Sequence, residues 1–182
     1  MSAKQRNKGF TLIELVVVIA ILAILAAFAL PRFAQLSEEA HVSSVKATAG
    51  AMAAGVALAK AQWVTNGLTS STDSLEGFGD GELNVSSRGW PVASTGTYVG
   101  ETDGFGEMTI GRCEQVWTGV LQANAPTVGT AATDEYLVSV AAAGAATADT
   151  LPNCEFTYQL DGESNKTITY DADTGSVTTN LN

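Results

Sequence analysis

The sequence predicts an α+β fold: a long N-terminal α-helix, transmembrane in its first half and amphipathic in its second, packed on an antiparallel β-sheet. Three observations carry this expectation. Residues Phe10 to Leu30 form an apolar run containing a single charge, Glu14. From Val42 to Trp63, apolar residues recur at alternating spacings of three and four, the period of one helix face. Near the C-terminus, Cys154, Phe156, Tyr158 and Leu160 alternate with Glu155, Thr157 and Gln159, the pattern of a strand with one buried side.

The apolar run is 21 residues long, about 31 Å as a helix and close to the thickness of a hydrocarbon core. Lys4, Arg6 and Lys8 all precede it, which predicts a cytoplasmic N-terminus with the rest of the chain crossing. Three readings compete. A secretory signal peptide would use Ala27-Phe28-Ala29 for cleavage; a plain signal anchor would stay uncut; a prepilin signal would be cut between Gly9 and Phe10. Glu14 discriminates among them. A carboxylate at bilayer depth costs about 2.5–3.5 kcal/mol, and neither of the first two readings gains anything from it. Cutting after Gly9 creates an α-amino group on Phe10, one helical turn from Glu14, where the positive end of the helix dipole also favours an anion. In an assembly, Glu14 of one subunit meets the Phe10 amine of the next, which makes the charge tolerable and sets an axial register.

The run Gly9-Phe10-Thr11-Leu12-Ile13-Glu14-Leu15-Val16-Val17-Val18-Ile19-Ala20-Ile21-Leu22 resembles the N-terminal signature of type IV pilins and the related pseudopilins. Its continuation, Ala29-Leu30-Pro31-Arg32-Phe33 followed by Leu36 and Ala40-His41, is similar to the major pilin of mannose-sensitive haemagglutinin (MSHA) type pili. Ala23 departs from the pattern, standing where many type IV pilins carry glycine. The resemblance implies a leader, residues 1–9, removed by a prepilin peptidase between Gly9 and Phe10, with N-methylation of Phe10. It further implies a single-pass inner-membrane protein before assembly and an extracellular pilus after it, a helical homopolymer built by an inner-membrane assembly machinery. Phe10 and Glu14 then serve subunit assembly, residues 10–30 become the filament core, and surface attachment is the role. A type II secretion pseudopilin and a DNA-uptake pilin are the alternatives.

Charge agrees with an exported product. The net charge of the 182 residues is −10, and losing Lys4, Arg6 and Lys8 takes it to −13. The part up to Asn66 is balanced once the leader is gone, whereas everything after Gly67 carries 16 acidic groups against Arg88, Arg112 and Lys166. An acidic head repels polyanions, so no nucleic acid is expected as a partner unless Arg88 and Arg112 form a local basic patch.

The helix is expected to run on past the membrane segment. Pro31 removes a hydrogen bond and predicts a kink. Beyond it, Val42, Val45, Ala49, Met52, Val56, Ala59 and Trp63 make the docking face for a globular head; a dimeric coiled coil is the lesser alternative. Gly50, Ala53, Ala54 and Gly55 suit close approach of neighbours in a bundle. Asn66-Gly67 is a good stop, giving a helix over 10–66 and a head over 67–182.

Residues 67–110 read as a long glycine- and serine-rich connection punctuated by Gly77, Gly79, Gly81, Gly89, Gly100, Gly104 and Gly106. Gly77–Gly81 lacks the spacing of a phosphate cradle, and Trp90-Pro91 is read as an aromatic plug. A short amphipathic helix is expected over Arg112–Ala123, with strands at Tyr136–Val140, from Cys154 to Leu160, at Ile168 and Tyr170, and at Val177–Thr179. Cys113 and Cys154 are the whole thiol inventory, and in an exported chain two cysteines read as one disulfide, here bounding residues 113–154. Two unpaired buried cysteines are the other reading. His41 is the only histidine and no soft ligand set exists, so no metal or cofactor is expected. Asp171–Gly175 fails the EF-hand pattern and reads as a turn, leaving open a calcium site from distant carboxylates such as Asp161. With no nucleophile elbow, triad or P-loop, an enzyme is not expected.

Overall fold

Helix α1 runs from Leu12 to Thr65 without interruption, with Pro31 inside it. The computed structural model describes residues 10–96, 108–141 and 153–181. The leader with Gly9, and Gly100, Gly104 and Gly106 of the connection, lie outside these residues. Two units divide the chain, Met1–Ala40 and His41–Asn182. In the first, α1 carries no charge other than Glu14 up to Leu30, and its large apolar side chains are exposed. Pro31 lacks the N–H that would bond the carbonyl of Ala27, one rung of the ladder that the helix forgoes.

In the second unit the same helix changes character. Val45, Ala49, Met52, Val56, Ala59 and Trp63 are buried as the stripe predicts, and Val42 is half-buried. The small residues beside the stripe divide. Gly50 faces open space and Ala53 and Ala54 are exposed, but a Cβ on Gly55 would come within 2.8 Å of the Val120 carbonyl oxygen. Gly55 therefore admits a helix of its own head, a closer neighbour than the bundle partners expected from sequence. The helix ends in a Schellman motif. Gly67 adopts φ +68°, its N–H bonds the Val64 carbonyl at 3.0 Å, and the Leu68 N–H bonds that of Trp63 at 3.2 Å.

The connection after α1 folds on itself. Strands β1 (Asn84–Val85) and β2 (Pro91–Ala93) pair antiparallel, and Thr72 bridges to Val85. Gly77, Gly79 and Gly81 all take positive φ and turn the chain between Leu75 and Leu83, whose backbones bond at 2.9 Å. That is a turn function for these glycines. Trp90 lies against Gly175, whose φ of +70° and missing Cβ give the indole its seat, and the Lys60 ammonium sits over both Trp63 and Trp90.

Helix α2 (Ile110–Leu121) is capped by Thr109, whose hydroxyl accepts from the Arg112 N–H, and it passes into a 3-10 turn at Gln122–Asn124. Five strands follow: β3 (Val128–Gly129), β4 (Tyr136–Ala141), β5 (Asn153–Tyr158), β6 (Thr167–Tyr170) and β7 (Val177–Asn180), in the order β3-β4-β5-β6-β7. Four are antiparallel, but the edge strand β3 runs parallel to β4. The sheet is thus mixed where an antiparallel one is expected. Parallel pairing over so short a connection is possible because only two residues pair and the loop is tightly closed. Its closure uses Asp134 bonded to Ala131, and Thr127 bonded to Glu135 and Tyr136.

Leu160 is a second correction. It is 56% exposed, because β5 stops at Tyr158 and Leu160 lies within the turn Gln159–Gly162, closed by the Gly162 N–H on the Gln159 carbonyl. Trp117 from α2 fills the centre of the core, 4.5 Å from the Phe156 ring and 4.8 Å from Tyr136, with its indole N–H on the Pro126 carbonyl. Cys113 and Cys154 are bonded, Cα to Cα 5.5 Å, so a disulfide ties α2 to β5.

Candidate assembly surface

Thr11 and Glu14 form a capping box. The Thr11 N–H and hydroxyl each donate to Glu14 Oε2 at 2.8 Å, and the Glu14 N–H reaches the Thr11 hydroxyl oxygen at 3.3 Å. Two N–H groups that a helix start leaves without partners are thereby satisfied. The sequence reading passed over Thr11, although Thr-x-x-Glu ahead of an apolar run is the signal that finds it. Both bonds fall on Oε2; Oε1 has no hydrogen bond among the described residues. Glu14 lines a shallow apolar groove with Phe10, Ile13, Val17 and Val18. The carboxylate is therefore held by Thr11 within an apolar wall.

Beyond Thr11, the run from Leu15 to Leu30 is uncharged and apolar. This helix is long and apolar enough to cross a membrane, and none of its apolar window is buried within the chain. Exposed apolar area on this scale needs lipid or neighbouring helices to cover it. Phe10, 89% exposed, stands free at the start of the run.

The head presents a different surface. Arg88 pairs with Asp173 at 3.2 Å, which neutralises one half of the basic patch that DNA binding would need. Lys166 is 1% exposed and pairs with Asp161 at 2.7 Å, a buried ion pair that nothing in the sequence pattern announces. Burial penalises the Asp161 carboxylate, yet the bonds from Lys166 and the Glu163 N–H, with the Lys166 charge, outweigh it and hold its pKa below the ordinary carboxylate value. Asp161 is thus committed to Lys166. Asp171 is likewise engaged, accepting from Asp173 and Thr174 in the turn that leads into β7. No cluster of three or more His, Cys, Asp or Glu side chains suited to a metal occurs among the described residues.

His41 does not stand alone. Its Nδ1 lies 3.0 Å from the Tyr158 hydroxyl, beside Tyr136. Burial pushes the Tyr136 phenol up to about 12 and raises that of Tyr158 as well. The arrangement is a packing contact between α1 and the sheet.

A capped, acid-bearing apolar helix joined to an α+β head defines a class, and residues 4–30 match the prokaryotic N-terminal methylation motif. The chain is also 51% identical over 57 residues to the type IV narrow pilus major component PilA5 of Thermus thermophilus. That stretch is 31% of this chain and 49% of the relative, so the chain spans about half the length of the curated relative it matches. No solved structure matches.

Proposed function

We propose that the protein is the structural subunit of a type IV pilus of the MSHA type, polymerising through its N-terminal helix for surface attachment. The observation that carries this reading is the Thr11–Glu14 cap at the head of an exposed apolar run. A prepilin peptidase cuts between Gly9 and Phe10, and Phe10 is then N-methylated. Before assembly, residues 10–30 hold the protein in the inner membrane with the N-terminus cytoplasmic. In the pilus the same residues form the filament core, and Pro31 is the kink at which the helix leaves it. Burial of the apolar surface supplies most of the cohesion, at about 25 cal/mol per Å². Glu14 supplies register, its free oxygen accepting the Phe10 amine of a neighbouring subunit. The inner-membrane assembly machinery draws subunits from the bilayer, and the acidic heads form the outer surface.

Glu14→Ala tests this. The variant should insert and be processed normally, because removing a charge eases insertion, yet assemble few pili. Wild-type numbers of surface filaments in that mutant would overturn the reading.

A further inference from the structure

Two stretches of the chain carry the Asn-x-Ser/Thr pattern that accepts an N-linked glycan in exported proteins, Asn84-Val85-Ser86 and Asn165-Lys166-Thr167. Both have a glutamate two residues ahead of the asparagine, Glu82 and Glu163, so the sequence does not separate them. The fold does. Asn84, on β1, is 1% exposed, and its Nδ2 donates to the Gly96 carbonyl at 3.0 Å. A sugar on that nitrogen would have to sit inside the head, where its hydroxyls would lose water without gaining partners.

Asn165 stands instead in the turn between β5 and β6. Gly162, Glu163 and Ser164 before it are exposed, and Asn165 itself is half-buried. Its neighbours fix which end of the amide is which. The oxygen accepts from the buried Lys166 ammonium at 3.3 Å, and the nitrogen donates to Glu163 Oε2 at 3.1 Å. The Glu163 side chain is 61% exposed, so the nitrogen lies toward the outer part of the turn. An amide nitrogen carries two hydrogens. Only one is engaged among the described residues, which leaves the other to be replaced.

We propose that Asn165 is an N-glycosylation site, receiving an oligosaccharide outside the cytoplasm from a polyisoprenyl-pyrophosphate donor. The Asn165 nitrogen forms a bond to the anomeric carbon as the bond from that carbon to the pyrophosphate oxygen breaks. The electron pair leaves with the pyrophosphate, and the proton lost from the nitrogen goes to a base of the transferase. Lys166 is buried and Thr167 pairs with Thr157 and Asn180 in the finished sheet, so the transferase reads Asn165-Lys166-Thr167 before β6 closes. A chain modified at Asn84 cannot then complete the head, whereas one modified at Asn165 can. This inference rests only on export of the head, which a cut after Ala29 would supply as well as a prepilin leader.

Peptide mass spectrometry of the protein from its native host is the test. The peptide containing Asn165 should carry sugar on the asparagine, and the peptide containing Asn84 should carry none. Asn165→Gln and Thr167→Val should lose the added mass completely, while Thr167→Ser should keep it. Valine preserves the β-branched shape and strand preference of threonine and removes only the hydroxyl that the pattern requires. The N-terminal peptide of the same digest reports leader processing separately, so the two readings can fail independently. An unmodified Asn165 in the wild-type protein would overturn the proposal. So would sugar attached to Ser164 or Thr167 in its place, or an added mass that survives in Thr167→Val.

Discussion

The two portions of α1 differ less in how apolar they are than in how the apolar residues are arranged. Up to Leu30 they surround the helix and remain exposed; from Val42 to Trp63 one stripe of them is turned inward and largely buried. A stripe can be covered by the chain's own sheet and second helix, whereas an all-round apolar surface cannot be covered by a single head of this size. The first portion therefore owes its environment to lipid or to other copies, and the second to the fold. One continuous helix carries an intermolecular surface and an intramolecular one, and the two should respond separately to substitution.

The largest effect is expected in the core. Trp117→Ala should destabilise the head by about 4 kcal/mol, the range for removing a large buried aromatic. Denaturant unfolding followed by near-ultraviolet circular dichroism in detergent would measure it. The helicity of residues 12–40 should survive, and a matching loss there would break the comparison.

Next comes the buried ion pair. Asp161→Asn leaves Lys166 charged and buried without its nearest carboxylate, with Glu163 4.0 Å away, and should cost about 3 kcal/mol. The pair also makes the head sensitive to acid. A carboxyl whose folded pKa lies below its unfolded value adds stability that is fully present above the unfolded value. That stability is lost as pH falls through the folded one. For Asp161 the unfolded value is about 3.9, so the loss should begin near pH 4 and deepen below it. Unfolding midpoints across pH 2–6 (a range set by that roughly 3.9 reference) should show less acid dependence in Asp161→Asn than in wild type. Equal slopes would remove the assigned role.

The smallest effect sharpens the contrast most. Ile19→Ala, on the exposed apolar run, should change head stability by less than about 0.5 kcal/mol, as surface substitutions usually do. The same change should still lower filament number or mechanical resistance. A shifted unfolding midpoint of the head would show that the run packs on it.

Sequence period alone was enough to place α1, α2 and the strand alternation, because each writes a regular repeat that burial follows. It failed where the determinant was a local turn or a long-range contact. Leu160 continues the alternation on paper, but the strand ends at Tyr158 and Leu160 falls inside the turn Gln159–Gly162. β3 is only two residues long, too short to carry a period, and its direction depends on a loop closed by Asp134. Lys166, two residues before Ile168, looks like a solvated charge, and only the fold brings Asp161 over it. Thr11 was legible and overlooked: its capping box with Glu14 is written in four consecutive residues. The disulfide joins α2 to β5 across 41 positions, a pairing that two cysteines in the whole chain leave without a competitor.

The central claim is that the apolar run stays on the mature protein as an assembly surface, and the mature N-terminus tests it most directly. Intact mass and N-terminal sequencing of the protein from its native host should find a chain that begins at Phe10 and carries one added methyl group. A chain beginning at Leu30, cut after Ala27-Phe28-Ala29, would mean that the run is a discarded signal peptide and would contradict the claim.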